Sequence, residues 1–218
     1  MRTLTVNTFV SLDGVMQAPG GPAEDPTGNF TLGGWNATFW DDVMGQAIAK
    51  EFDPPTDLLL GRKTYEIFAA HWPYISDDPI ADQLNNATKY VASRTLDEVT
   101  WNNAVLLKGD AGDAVAELKH QDGPDLNVQG SSDLLQTLLR RDLVDVFNIW
   151  TFPILLGPGK RLFGEGTTPG GLRLLDSVTS TTGVTIAKYE RAGEVPVGSF
   201  QFAEPTEAEL RRRASLTD

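Results

Sequence analysis

The run Gly61-Arg62-Lys63-Thr64 has the clearest chemical content in the chain: it ends the apolar stretch Leu58-Leu59-Leu60 and opens a helical pattern. Glycine allows a tight turn, a helix start presents unpaired N–H groups, and Arg62 and Lys63 add positive charge, which together make a phosphate site. A strand-to-helix turn also carries Gly, Lys and Thr for purely local reasons, so these four residues admit both readings. Two further junctions share the chemistry, since Ser93-Arg94-Thr95 and Gln129-Gly130-Ser131-Ser132 also follow apolar strand patterns. Ligands of open α/β sheets bind beyond the carboxyl ends of the strands, so all three junctions are expected along one edge. That inventory suits a ligand with several phosphates. The motifs G-x-G-x-x-G, G-x-x-x-x-G-K-[ST] and G-x-S-x-G are all absent, which excludes the ordinary Rossmann and P-loop sites and leaves serine nucleophile chemistry unsupported.

The elements that position these junctions follow from periodicity. Alternation with β-branched enrichment predicts a strand over 3–10, then a Gly- and Pro-rich loop over 17–34, and helical spacing from Ala37 to Phe52 that Pro54-Pro55 stops. Strands are expected at 57–61, 89–93, 104–107, 125–129 and 145–152, with helices at 62–71, 79–86, 110–120 and 133–141. Two later runs, 172–179 and 183–191, suit an antiparallel hairpin. The expected fold class is therefore α/β: a single domain over 1–204 with a mainly parallel central sheet, helices on both faces and an antiparallel C-terminal edge hairpin. Residues 205–218 read as a tail or short helix, whose Arg211-Arg212-Arg213 forms a solvated end that complements the helix dipole.

Composition narrows the function classes. The 218 residues carry 18 basic and 30 acidic side chains, a net charge of −12 that opposes nucleic-acid and anionic-membrane binding. No apolar run approaches bilayer length, and no signal-peptide core is visible, so a cytoplasmic protein is expected. Cysteine is absent and only His71 and His120 offer imidazoles, so no metal site is expected.

The segments DLLLGRKTYE at 57–66, YVASRTL at 90–96, VQGSSDLLQTL at 128–138 and FPILLGPGKRLF at 152–163, together with Ser11-Leu12-Asp13-Gly14, resemble successive signatures of the dihydrofolate-reductase-like superfamily. Within it they are most similar to the group related to the reductase domain of riboflavin biosynthesis, in the right order over residues 3–190. The resemblance implies an NADPH-dependent reductase. Gly61, Arg62, Lys63 and Thr64 would line the phosphates, Ser93 and Arg94 would hold the adenosine 2′-phosphate, and Gln129, Gly130, Ser131 and Ser132 would cradle the pyrophosphate. A cation at the ribose end favours NADPH over NADH.

Hydride transfer to a C=N or C=O acceptor needs a pocket and a proton source. The candidate acids are Asp13, Asp41 and Asp42, and the candidate apolar walls are Met16, Trp35, Phe39 and Trp40. Each acid has a local alternative: Asp41 and Asp42 as helix-start carboxylates, Asp13 as a turn residue. Trp72, Trp101 and Trp150 are expected in the core or at contacts, and His71 in a structural role. The expected activity is reduction of a small pteridine-like, pyrimidine-like or carbonyl acceptor; a non-catalytic NADPH-binding or regulatory protein is the alternative. By analogy with relatives, a homodimer would use the 157–171 loop and the final hairpin.

Overall fold

A computed structural model describes residues 1–164 and 167–216. An eight-stranded sheet organises the chain: β1 (Leu4–Ser11), β2 (Asp57–Gly61), β3 (Lys89–Ala92), β4 (Ala104–Leu107), β5 (Leu126–Gly130), β6 (Val146–Phe152), β7 (Leu172–Thr179) and β8 (Thr185–Arg191). Their order is β4-β3-β2-β5-β1-β6-β8-β7, parallel from β4 to β6, with β8 antiparallel to both β6 and β7. The helices are α1 (Asp42–Glu51), α2 (Arg62–Ala69), α3 (Pro79–Asn86), α4 (Ala111–His120), α5 (Ser132–Arg140) and α6 (Glu207–Ala214).

β2 shows why the sheet is covered on both faces. All five of its residues are buried, and successive side chains point to opposite sides. Leu59 joins Val115 and Leu118 of α4 and Leu135 and Leu138 of α5, whereas Leu58 and Leu60 join Tyr65 of α2, Leu84 of α3 and Val91. Truncating a fully buried leucine such as Leu59 to alanine costs about 2–5 kcal/mol. A third cluster packs Met44 of α1 and Trp35 against Trp150, Phe152 and Ile186.

α1 starts later than the helical spacing predicts. Residues 37–39 form a single 3-10 turn, and Asp41 then caps α1 by accepting the Met44 N–H at 2.9 Å. α2 likewise stops at Ala69, because Pro73 cannot continue a helix and Trp72–Tyr74 turn as 3-10. The 17–34 loop is held by buried Gln17, whose Nε2 donates to Asp25 O at 2.9 Å and Thr27 O at 2.8 Å. No helix among the described residues is long and apolar enough to cross a membrane.

Candidate active site

The three phosphate-type junctions leave adjacent strands. Gly61 of β2 lies opposite Ala92 at the end of β3, and Leu60 lies opposite Gly130 at the end of β5. The β2–α2 and β5–α5 turns then interlock. A Cβ on Gly61 would overlap Ser131 Oγ, and one on Gly130, whose φ is +153°, would lie 2.6 Å from Thr64 Oγ1. Both glycines are required by close approach, and Gly130 also by its left-handed backbone.

Helix capping separates this corner from the rest of the molecule. Asp41, Asp78, Asp110 and Thr206 cap α1, α3, α4 and α6 through their side chains. Among the described residues no side chain caps α2 or α5, whose N-caps are Gly61 and Ser131. Two helix starts with unclaimed N–H groups therefore meet side by side, where their dipoles favour an anion.

These turns open onto a cavity of about 770 Å³. Thr64, Gln129, Gly130, Ser131 and Ser132 form its polar end, and Phe9, Trp40, Ile48, Phe52, Phe68 and Trp72 its apolar wall. Phe9 meets Trp40 edge to face at 5.9 Å, which stiffens that wall. Two lysines face the polar end. Lys63, in the first turn of α2, and Lys160, in the segment after β6, both converge on Asp25. Lys63 Nζ is 3.8 Å from Asp25 Oδ1, Lys160 Nζ donates to Asp25 Oδ2, and the two ammoniums reach Thr27 Oγ1 at 3.3 and 3.0 Å. Burial raises the Asp25 pKa, but hydrogen bonds from Lys160 and Thr27 outweigh it and leave the carboxyl below its ordinary value. Lys160 beside it, and then partial burial, push Lys63 down.

Glu24 is the second carboxyl in the cavity wall. Its Oε2 accepts the Gly20 and Gly21 N–H groups at 2.6 and 3.0 Å, and among the described residues no donor reaches Oε1. Burial raises its pKa, opposed by those two amides and reinforced by the negative charge of Asp25.

Of the residues predicted from sequence, Met16, Trp40, Lys63, Thr64, Gln129, Gly130, Ser131 and Ser132 line the cavity. Asp13, Asp41 and Asp42 do not. Asp13 clasps the turn after β1 to the segment after β6: it accepts from Ser11 Oγ and from the Leu156 and Gly157 N–H groups at 3.1 and 2.8 Å. The Ser11 hydrogen bond, with those amides, overcomes burial and lowers its carboxyl to about 2. Asp41 is consumed by the α1 cap and by the N–H and hydroxyl of Thr181, at 2.6 and 2.7 Å. Asp42 is exposed in the first turn of α1.

Two predicted apolar walls are core instead. Trp35 and Phe39 pack edge-on against Phe152 at 5.1 and 5.6 Å, and Trp35 Nε1 donates to Gln17 O. Gly61 is buried behind the turn, and Arg62 pairs with Glu66 on the exposed face of α2 at 3.0 Å. Ser93 and Arg94 lie outside the cavity wall, just past the end of β3. Ser93 Oγ accepts the Thr95 and Leu96 N–H groups at 3.1 and 3.0 Å, while Arg94 is exposed.

Sequence reasoning missed Glu24, Asp25 and Lys160, and it placed Trp72 and His71 in structural roles although both line the cavity. Lys160 lay within the FPILLGPGKRLF segment and was open to notice. Glu24 and Asp25 lie in a loop without periodicity, where no pattern indicates direction. Among the described residues no group of His, Asp or Glu side chains could hold a metal.

The paired turns and the cavity beside them place the molecule in the dihydrofolate-reductase-like fold class. Its fold is similar to that of dihydrofolate reductase from Enterococcus faecalis in complex with NADP(H), with a TM-score of 0.54 at 14% identity over 87% of this chain and 96% of that one. The sequence matches the RibD C-terminal domain over residues 2–186, and the chain belongs to that family. A protein provisionally described as a riboflavin biosynthesis protein, from Shewanella sp. PV-4, superposes with a TM-score of 0.63 at 24% identity, covering 88% of this chain and 99% of that one. A pyrimidine reductase-like protein from Corynebacterium diphtheriae gives 0.60 at 10% identity, covering 88% and 93%. The uncharacterized protein YyaP of Bacillus subtilis is 26% identical over 88% of this chain and 96% of its own length. YwjB of the same organism is 30% identical over 54% of this chain and 63% of its own.

Proposed function

We propose that the protein is an NADPH-dependent reductase of a small pteridine-like, pyrimidine-like or carbonyl acceptor. The observation that carries this reading is the interlock of Gly61 with Ser131 and of Gly130 with Thr64, which sets two uncapped helix starts at the mouth of one cavity. A dinucleotide diphosphate suits that cradle: the two glycines let the turns pack against each other, which brings both helix starts to one place, and its charge would meet their N–H groups. Exposed Arg94, one strand further along the same edge, would take the 2′-phosphate. When bound, the reduced nicotinamide supplies a hydride. The chain's own contribution is to seat a planar acceptor against Phe9, Trp40 and Phe68, to exclude water there, and to deliver a proton.

Glu24 is the proton donor in this reading. Its neutral form persists to higher pH than that of an ordinary glutamate, and its carboxyl lies in the cavity wall. Glu24 would give its proton to the acceptor's nitrogen or oxygen, and a second proton from solvent would then restore the carboxyl. One observation favours the alternative of a non-catalytic NADPH-binding protein: none of Asp13, Asp41 and Asp42 reaches the cavity. Steady-state oxidation of NADPH with a panel of pteridine, pyrimidine and carbonyl acceptors separates the two. Acceptor-dependent oxidation supports the reductase, and saturable binding without turnover across the panel supports the alternative.

A further inference from the structure

We infer that Lys63 and Lys160 form a phosphate-binding pair and that Asp25 occupies it in the free protein as an internal counter-ion that the incoming phosphate displaces. The inference rests on the cavity being the ligand site of the proposed reductase. Lys160 comes from a different part of the chain than the junctions already described, yet its ammonium shares both Asp25 and Thr27 with Lys63. The two lysines and Asp25 line the same cavity as Thr64 and Ser132, at the first turns of the uncapped helices. Among the described residues Asp25 is the carboxylate that pairs with these two ammoniums, and the second carboxyl of the wall, Glu24, is held by the Gly20 and Gly21 amides instead. Asp25 lies only 14% exposed between the two ammoniums, and its Oδ1 also takes the Thr27 hydroxyl at 2.5 Å. Its two oxygens thus occupy the positions that two oxygens of a phosphate would take.

The pairing is built to be exchangeable. One carboxylate serves two cations, so the trio of Lys63, Lys160 and Asp25 keeps a net positive charge, and the Lys63 side chain remains 36% exposed. A phosphate carries more negative charge and more acceptor oxygens than a carboxylate, and it would also engage the N–H groups of the helix starts, which Asp25 does not. Asp25 sits in the 17–34 loop beside Glu24, so displacing it would shift the segment that carries the proposed proton donor. Phosphate binding and the placing of the acid are coupled through these two adjacent residues.

The phosphate has two possible sources, the cofactor and the acceptor, and titration distinguishes them. Wild type, Asp25→Asn and Asp25→Glu are each titrated with NADPH, NADH and ribose 5-phosphate alone, followed by tryptophan emission and thermal unfolding. Asp25→Asn is expected to bind at least one of these about tenfold more tightly, the scale of a charge-assisted hydrogen bond, while Asp25→Glu keeps the wild-type affinity. Equal gains for both nucleotides assign the pair to the diphosphate, and a gain for NADPH alone assigns it to the 2′-phosphate. A gain for ribose 5-phosphate alone assigns it to the acceptor; should neither nucleotide then bind, the cofactor reading fails while the lysine pair stands. Lys160→Met in the wild-type background is expected to weaken the same ligand about tenfold. No gain with any of the three ligands overturns the proposal, and so does an unchanged affinity in Lys160→Met, whether or not Asp25→Asn folds.

Discussion

Gly130 and Thr64 touch across two strand-to-helix turns: a Cβ on Gly130 would stand 2.6 Å from Thr64 Oγ1. Because Gly130 also has a φ of +153°, a larger residue there meets both a strained backbone and a filled space. Gly130→Ala is expected to destabilise the fold by about 1–3 kcal/mol. It should also weaken NADPH binding by more than tenfold, because Thr64 must move from the mouth of the cradle. Chemical denaturation combined with nucleotide titration checks both effects.

Glu24→Gln removes the proton while keeping the shape of the side chain. Turnover with an accepted substrate should fall roughly 100-fold or more, the ordinary scale of general acid catalysis, with NADPH affinity unchanged. Burial raises the Glu24 pKa, so wild-type turnover should decline as pH rises through that raised value, whereas Glu24→Gln should lose this limb. A pH–rate profile of both proteins tests the assignment; identical profiles would remove Glu24 from the mechanism.

Asp41→Ala tests the reassignment of a carboxylate that the sequence offered as an acid. It deletes the α1 cap and the tie to Thr181, so the midpoint of urea unfolding should fall. Affinity for NADPH and the rate with an acceptor should change by less than about twofold, since the side chain is outside the cavity. A large loss of rate without loss of stability would return Asp41 to the active site.

Glu51 gives the fold a pH dependence of its own. Its Oε1 accepts from Asn148 and from Trp150 Nε1 at 2.8 Å, its Oε2 is buried without a partner among the described residues, and burial lifts its carboxyl from 4.5 to about 8. The folded protein therefore holds a proton that the unfolded chain releases above the lower value. Stability should be complete below that value, fall as pH rises toward about 8, and level off above it. The slope is at most about 1.4 kcal/mol per pH unit. Urea denaturation across this range should show the decline in wild type, and Glu51→Gln should flatten it.

Much of the architecture was legible because each β-strand announced its period and its ending. β2 is the clearest case: three leucines between Asp57 and Gly61 match a strand buried on both faces, and its bounds follow from the helix pattern beginning at Arg62. The polar end of the cavity was legible for the same reason, since backbone turns and helix starts leave a local signature. The substrate side was not. Whether Asp13 or Asp41 faces a pocket depends on Leu156 and Thr181, which lie more than a hundred residues away and compete for their carboxylates. Glu24 and Asp25 escaped notice because they lie in an aperiodic loop, where spacing carries no information: Glu24 is directed by the Gly20 and Gly21 amides, and Asp25 by Gln17 and the distant Lys160.

The central claim is that the two interlocked turns hold the phosphates of NADPH. Tryptophan emission should report this directly, because Trp40 and Trp72 line the cavity. Titration of the wild-type protein with NADPH and NADH should give saturable quenching by both, tighter for NADPH, and Arg94→Ala should abolish the difference. Absence of a saturable response to NADPH, or equal affinity for the two nucleotides in wild type, would contradict the account.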